Sequence, residues 1–173
     1  MKNLDLLMNG MYTFNDEWEG KQRLNVVAHG CLVGKTGSMV VAGFQNGRFG
    51  DDVRHVSAEE LSLLLKTRYP LYQNAIIRTL TCYSGDGGND AFGAQLCRKT
   101  GLPVQSFIGP MTGNFTPEKI TELCSEALRF GIYDKLTALF AEKREFQVNS
   151  RNPYSFFSRN YFSFRHQPVT FSP

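Results

Sequence analysis

Short apolar runs alternate along this chain with longer segments in which apolar residues recur at helical spacing. Three of the runs, residues 24–28, 76–81 and 102–109, have the length and composition of buried strands. The segments with helical spacing cover residues 58–68, 90–100, 117–130 and 133–143. Because helices connect the successive strands, the pattern predicts an α/β sheet with parallel central strands and right-handed crossovers.

Residues at the predicted helix starts support this assignment. Ser57 and Glu60 form a capping-box pattern before the first helix. Asn89 is the expected cap of the second helix, and Thr116 followed by Pro117 marks the start of the third. We therefore expect one domain over residues 1–173, a three-layer sandwich with helices on both sides of a mostly parallel sheet. Residues 1–20 are expected to form an N-terminal arm. Residues 143–173, the C-terminal segment, are expected to form an antiparallel extension.

Composition limits the classes of function without selecting one. With 173 residues, 42% of them hydrophobic, the chain is long enough to bury one substantial core. No apolar run has the length of a membrane span, and the N-terminal residues lack the pattern of a signal peptide, so we expect no Sec export. Four cysteines without a C-x-x-C pair are too sparse for a disulfide scaffold, which indicates a reducing compartment.

Positive charge is concentrated near the C-terminal end. The net charge is +3, yet residues 143–173 alone hold five Lys or Arg and one acid. This segment is also rich in Phe and Tyr, which predicts that it packs against the domain as edge strands with arginines facing solvent. Binding of nucleic acid or of a phosphorylated regulator is the alternative for such a basic aromatic segment.

A histidine and a cysteine follow two of the predicted strands. His29 comes directly after residues 24–28, and Cys82 directly after residues 76–81. Neighbouring parallel strands lie about 4.8 Å apart and end at the same edge of a sheet, where α/β proteins gather their catalytic groups. If these two strands are neighbours, the imidazole and the thiol emerge within reach of each other.

The chemistry of a thiol nucleophile requires such a pairing. A free thiol is little ionised near neutral pH, and an adjacent imidazole raises the thiolate fraction or takes the proton during attack. Gly30 has no Cβ to obstruct a substrate, so its backbone amide and that of Cys82 are candidates for an oxyanion hole. The interval from His29 to Cys82 is similar to that between the catalytic His and Cys of caspases.

The other polar residues are weaker candidates for a functional site. Asp86 and Asp90, in the loop after Cys82, are candidates for binding a basic substrate side chain, and a solvated loop is the alternative. Cys31 is expected to be a loop or core thiol. No spacing of Cys and His indicates a metal site, and no motif requires a cofactor. The remaining thiols and imidazoles have no predicted catalytic role: Cys97, Cys124, His55 and His166.

Four segments carry a resemblance to a known family. In order within residues 24–109 they read VVAHG, VSAEELSLLLK, IRTLTCYSG and FGAQLCRKTGLPVQSFIG. They resemble the autoprocessing cysteine protease domain of MARTX toxins and of large clostridial glucosylating toxins. More distantly, they resemble caspases, gingipains and legumains. The resemblance implies a caspase-like fold with His29 as the catalytic histidine and Cys82 as the nucleophile.

The chain departs from that family in two places. The toxin proteases carry a β-flap after the third strand, which binds inositol hexakisphosphate. Here residues 116–136 occupy that place with a helical pattern, which argues against activation by this ligand. Any activating polyanion is expected to bind the basic segment around Arg151, Arg159 and Arg165. The caspase signature around the nucleophile is also absent, so specificity for aspartate is not implied.

Three functions fit the sequence. The first is a cysteine endopeptidase, a bacterial effector or toxin-associated protease that is cytoplasmic in the producer or delivered into the cytosol of a target cell. The second is another acyl transfer, such as deamidation, on the same His–Cys pair, since thioester chemistry serves both. The third is a non-catalytic interaction module of the same fold.

Overall fold

A computed structural model describes residues 1–41, 44–45, 48–49, 53–143, 146–150 and 168–173. Twelve strands and four α-helices lie in this part of the chain, with 3₁₀ turns at Leu71–Gln73 and Gly88–Asp90. The helices are α1 (Ala58–Arg68), α2 (Phe92–Thr100), α3 (Pro117–Arg129) and α4 (Tyr133–Ala141). The strands are β1 (Lys2–Met8), β2 (Met11–Trp18), β3 (Lys21–Val33), β4 (Thr36–Val41), β5 (Phe44–Gln45), β6 (Arg48–Phe49), β7 (Arg54–Val56), β8 (Ile76–Leu80), β9 (Val104–Phe107), β10 (Met111–Gly113), β11 (Val148–Ser150) and β12 (Pro168–Phe171).

One mixed sheet of eight strands organises the structure. Its main path runs β1-β2-β3-β8-β9-β12, and β4 and β7 extend from β3. The three strands predicted from the apolar runs are neighbours, and β3–β8 and β8–β9 are parallel as expected. The prediction of a mostly parallel sheet is wrong, because the other five pairings in this sheet are antiparallel. Several of these join successive strands through short turns, and short connections permit only antiparallel pairing.

The N-terminal segment is part of the sheet. Residues 1–20 were expected to form an arm, but β1 and β2 make a hairpin whose second strand pairs along β3 from Met11↔Ala28 to Trp18↔Lys21. Tyr12 and Phe14 of β2 are fully buried. Apolar and polar residues alternate only partly along this strand, which hides its period of two.

Helices cover both faces of the sheet. Leu24, Val26 and Ala28 of β3 face a core with α1 and α2, whereas Val27 faces a second core with α3 and α4. Because successive side chains of a strand point to opposite faces, this alternation places the two helix pairs on opposite sides. The fold is therefore a mixed α/β sandwich of three layers.

The helix starts agree with the sequence in two of three cases. The Ser57 hydroxyl accepts a hydrogen bond from the Glu60 amide, and the Thr116 hydroxyl accepts one from the Lys119 amide, so the N-caps of α1 and α3 are as predicted. The Glu60 carboxylate, which a capping box directs to the Ser57 amide, contacts Arg54 instead. The prediction of Asn89 as the cap of α2 is wrong. Asn89 lies in the preceding 3₁₀ turn, and the Gly93 amide in the first turn of α2 donates to the backbone carbonyl of Ser84.

The C-terminal end returns to the sheet. β12 pairs antiparallel with β9, from Pro168↔Phe107 to Phe171↔Val104, so residues 168–171 of the predicted extension are antiparallel as expected. The predictions for Arg151, Arg159, Arg165 and His166 lie outside the described residues. Within the described part of the chain, no helix is long and apolar enough to cross a membrane.

Candidate functional site

His29 and Cys82 come from neighbouring parallel strands. The β3–β8 ladder runs from Arg23↔Ile76 to Val27↔Leu80, so both residues lie two positions beyond its last pair. The prediction that β3 ends at His29 is wrong, because the strand continues to Val33 and pairs there with β4. The parallel register, rather than the strand end, brings the two side chains to the same end of the sheet.

Both residues line one small cavity. It has a volume of about 80 Å³ and lies between the middle of β3, the end of β8, the start of β10 and the start of α3. Its other walls are mainly apolar: Val27, Ala28, Leu80, Met111, Gly113, Phe115, Thr116, Pro117 and Phe146. The cavity places a potential nucleophile and a potential base at a common wall, with room for a small apolar group.

The thiol of Cys82 is held by the backbone of Met111. The sulfur donates to the Met111 carbonyl at 3.1 Å and accepts from the Met111 amide at 3.2 Å. Burial raises the pKa of the Cys82 thiol above its usual value, and the backbone hydrogen bonds only partly oppose that shift. In this arrangement Cys82 is a neutral thiol at neutral pH.

A carboxylate contacts the imidazole. Nε2 of His29 lies against Oε1 of Glu118, a residue in the first turn of α3. Burial lowers the pKa of His29 below its usual value, and the Glu118 charge opposes the shift. In a neutral imidazole whose Nε2 proton is donated to this carboxylate, Nδ1 is the ring nitrogen that carries no proton. No sequence pattern indicated Glu118, because only the tertiary structure brings the start of α3 to His29.

Two glycines allow the β3–β4 hairpin to pack on the Cys82 loop. A Cβ atom on Gly30 would stand 2.2 Å from the Cys82 carbonyl oxygen, and one on Gly37 would stand 2.1 Å from that of Tyr83. Neither distance is sterically possible, so both positions require glycine. This close approach gives Gly30 a packing role, while its predicted part in an oxyanion hole stays a prediction.

Backbone contacts fix the loop that follows Cys82. Tyr83 has a φ of 61°, an uncommon value for a residue with a side chain, and its amide donates to the Gly109 carbonyl at 2.8 Å. The Asp86 carboxylate accepts from the Gly109 amide at 2.8 Å. Asp86 therefore ties this loop to the segment between β9 and β10. Asp90 is exposed, and neither aspartate lines the cavity.

The remaining cysteines and histidines lie elsewhere. Cys97 and Cys124 are buried in the two cores, as predicted. Cys31 was expected in a loop or core, but it lies on β3, half-buried and close to Ser38 and His55. Among the described residues, no group of three or more His, Cys, Asp or Glu side chains is arranged to hold a metal ion.

A larger depression lies toward the other end of β3. It measures about 690 Å³ and is lined by Asp16, Arg23 and Arg78 among others. Arg23 lies about 20 Å from His29 along the strand. Arg23 and Arg78 reach Asp16 at 2.7 and 3.1 Å, and with Asn25 they hold the Asp16 pKa below its usual value although burial alone would raise it. In these contacts the buried charges of Arg23 and Arg78 are paired with that of Asp16, so we interpret the group as a structural network.

Comparisons with known proteins add no relationship. The chain matches no protein-family model, no curated protein and no solved structure at a significant level.

Proposed function

We propose that the protein is a cysteine endopeptidase in which Cys82 is the nucleophile and His29 the general base. The observation that carries this proposal is the common cavity of the two residues, reached from neighbouring parallel strands. Glu118 adds a third member, because its contact with Nε2 of His29 orients the ring. A thiol, an imidazole and an orienting carboxylate are the parts that covalent acyl transfer requires.

The proposed reaction begins with proton transfer from the Cys82 thiol to Nδ1 of His29. The thiolate attacks the carbonyl carbon of a peptide bond, and the carbon–nitrogen bond breaks as the imidazolium returns its proton to the leaving amine. Water, deprotonated by the same imidazole, then hydrolyses the thioester and regenerates the thiol. Glu118 stabilises the imidazolium through its charge while the proton resides on His29.

Release of the thiol from Met111 is part of this proposal. The Met111 carbonyl accepts from the thiol and so favours its neutral form, whereas the Met111 amide donates to sulfur and is able to stabilise a thiolate. A small shift of β10 that breaks the first contact and keeps the second activates Cys82. The segment between β9 and β10 includes Gly109, whose φ of 76° makes it a position where the backbone turns sharply.

The same proposal extends to the type of α/β fold, to the family and to the biological setting. A caspase-like sandwich of the kind found in toxin autoprocessing domains fits the order of the site residues along the chain. With that resemblance we propose a bacterial effector or toxin-associated protease that acts in a cytosol. Helices α3 and α4 occupy the place of the family's β-flap, which supports the expectation that inositol hexakisphosphate is not the activator.

The second candidate is a deamidase or transamidase on the same residues. The thioester is common to these reactions, and among the described residues that line the cavity none selects water over an amine as acceptor. A non-catalytic module is favoured less, because such a protein has no need for a carboxylate on the imidazole beside a thiol.

The test is to incubate the protein with a tryptic peptide library in water enriched in oxygen-18 and to identify the products by mass spectrometry. A peptidase yields new peptide termini carrying the heavy oxygen, and a deamidase yields intact peptides with Gln or Asn converted to the acid. Cys82→Ala abolishes either product, whereas Cys31→Ser, the matched control, retains it under reducing conditions. Products that persist in Cys82→Ala contradict the proposal.

A further inference from the structure

A second group of reactive side chains lies on the β3–β4–β7 part of the sheet. Cys31 pairs with Ser38 across β3 and β4, and His55 of β7 pairs with Val40, two residues after Ser38. Residues two apart on a strand share a face, so Cys31, Ser38 and His55 project from the same side of the sheet.

The three side chains are in mutual contact. The Ser38 hydroxyl lies 3.0 Å from Nδ1 of His55 and 3.5 Å from the sulfur of Cys31. The sulfur lies 3.9 Å from the same ring nitrogen. These distances form a chain from thiol to hydroxyl to imidazole, along which a proton is able to pass.

Accessibility separates this thiol from Cys97 and Cys124, and hydrogen bonding separates it from Cys82, which is also half-buried. Cys97 and Cys124 are 1% and 0% exposed, and the sulfur of Cys82 lies between the amide and the carbonyl of Met111. Cys31 is only half-buried, and His55 beside it is exposed. Cys31 therefore combines an open approach with a neighbouring base, which are the two conditions for a reactive thiol.

We propose that Cys31 is a modification site that exchanges with small disulfides of the glutathione class. The thiol proton passes to the Ser38 oxygen while the Ser38 proton passes to Nδ1 of His55. The Cys31 thiolate attacks one sulfur of the disulfide, forms a mixed disulfide with it, and expels the other half as a thiolate. That leaving thiolate takes the proton from His55, so no further oxidant is required.

The adduct has a consequence for the neighbouring site. Cys31 and His29 are two residues apart on β3, so their side chains share a face about 7 Å apart. A glutathione-sized group on Cys31 stands beside the imidazole and obstructs a substrate that approaches Cys82. This consequence rests on the proposed function. Under it, oxidising conditions block access of substrate to Cys82, and reductants restore that access.

The chemical step is tested by mapping. The protein is incubated with glutathione disulfide at neutral pH, quenched with acid, and mapped by mass spectrometry for the adduct on each cysteine. Cys31 is expected to react about tenfold faster than the other cysteines, and Ser38→Ala and His55→Gln each slow it by about fivefold. Ser172→Ala, at the exposed C-terminal end, leaves the rate unchanged. A faster reaction at another cysteine, or a rate at Cys31 that neither substitution changes, overturns the proposal.

The consequence for the site is tested by labelling Cys82 with a peptidyl electrophile before and after glutathione treatment. Labelling is expected to fall about tenfold in the treated protein, to recover with dithiothreitol, and to be insensitive to treatment in Cys31→Ser. Equal labelling of treated and untreated protein overturns the regulation and leaves the proposed function intact. Absence of Cys82 labelling in every form overturns the proposed function and the regulation with it, while the mapping still decides the chemistry of Cys31.

Discussion

The carbonyl oxygen of Cys82 lies so close to Gly30 that a Cβ atom on that glycine would stand 2.2 Å away from it, and 2.6 Å from Cγ2 of Thr81. The strand β3, which carries the candidate base, is thus packed backbone against backbone on the loop that carries the candidate nucleophile. The position of His29 relative to Cys82 follows from this contact, because His29 directly precedes Gly30 on β3.

Substitution of Gly30 is predicted to disrupt this contact. Gly30→Ala forces the backbone of β3 or of the Cys82 loop to move, and we expect a loss of about 3 kcal/mol in the free energy of unfolding. Gly34→Ala is the control, since that glycine has open space around it and a φ of 66°, so only backbone strain of about 1 kcal/mol applies. Urea unfolding of both variants decides the matter, and equal losses contradict the packing account.

Glu118 is predicted to act through its charge on His29. In Glu118→Gln the amide oxygen still accepts from Nε2, but the imidazolium loses its counter-charge, so turnover falls by roughly ten- to hundred-fold. Glu122→Gln is the matched control, because that exposed residue on the same helix pairs only with Lys119 among the described residues. Turnover of a peptide substrate identified from the library measures the effect. A normal rate in Glu118→Gln, or an equal loss in both variants, contradicts the orienting role.

Thr81 offers a stability prediction that is independent of catalysis. Its side chain is buried, and among the described residues its hydroxyl has no hydrogen-bond partner. Thr81→Val replaces an unpaired hydroxyl by a methyl group of similar size, so the free energy of unfolding is expected to rise by about 1 kcal/mol. Thr79→Val is the contrasting variant, because its hydroxyl contacts Ser84 and Ser106 and its loss is destabilising. A destabilised Thr81→Val protein contradicts this account.

Acidification is predicted to destabilise the protein through His29. Burial places the folded-state pKa of this imidazole below its usual value of 6.5. Below about pH 6.5 the unfolded chain therefore binds more protons than the folded one, and stability falls with falling pH until the folded pKa is passed. The lowered carboxyl pKa values of Asp5 and Asp16 act only in more acidic solution. Urea unfolding between pH 7 and pH 5 is expected to show a smaller decline in His29→Gln, and equal declines contradict the buried neutral imidazole.

The sequence predicted the centre of the fold better than its edges. The apolar runs that became β3, β8 and β9 are buried on both faces, so composition alone marks them as central parallel strands. β2 was missed because its buried residues Tyr12 and Phe14 are followed by Asn15, Asp16 and Glu17. These polar residues belong to a strand whose first half is buried on both faces and whose far end joins a polar network, and a charged run of this kind conceals the strand.

The candidate site was predictable only in part. The apolar runs before His29 and Cys82 predicted two neighbouring parallel strands that bring both residues to one end of the ladder, although β3 continues past His29. Glu118 was not predictable, because the docking of α3 depends on contacts such as Ile120 and Cys124 in the second core, far from His29 in sequence. The cluster of Cys31, Ser38 and His55 depends on the register of β3, β4 and β7, which turns fix and composition does not reveal.

The pairing of His29 with Cys82 is best tested by the rate at which a peptidyl acyloxymethyl ketone labels Cys82, followed by intact mass and peptide mapping under reducing conditions. A probe with a small apolar residue before the reactive group, such as valine, suits the apolar cavity, whereas a probe with aspartate leaves a charge unpaired there. We predict that the apolar probe labels Cys82, that His29→Ala slows labelling by about a hundredfold, and that His55→Ala leaves the rate unchanged. Labelling that is equally fast without His29, or that falls on another cysteine, contradicts the pairing of His29 with Cys82.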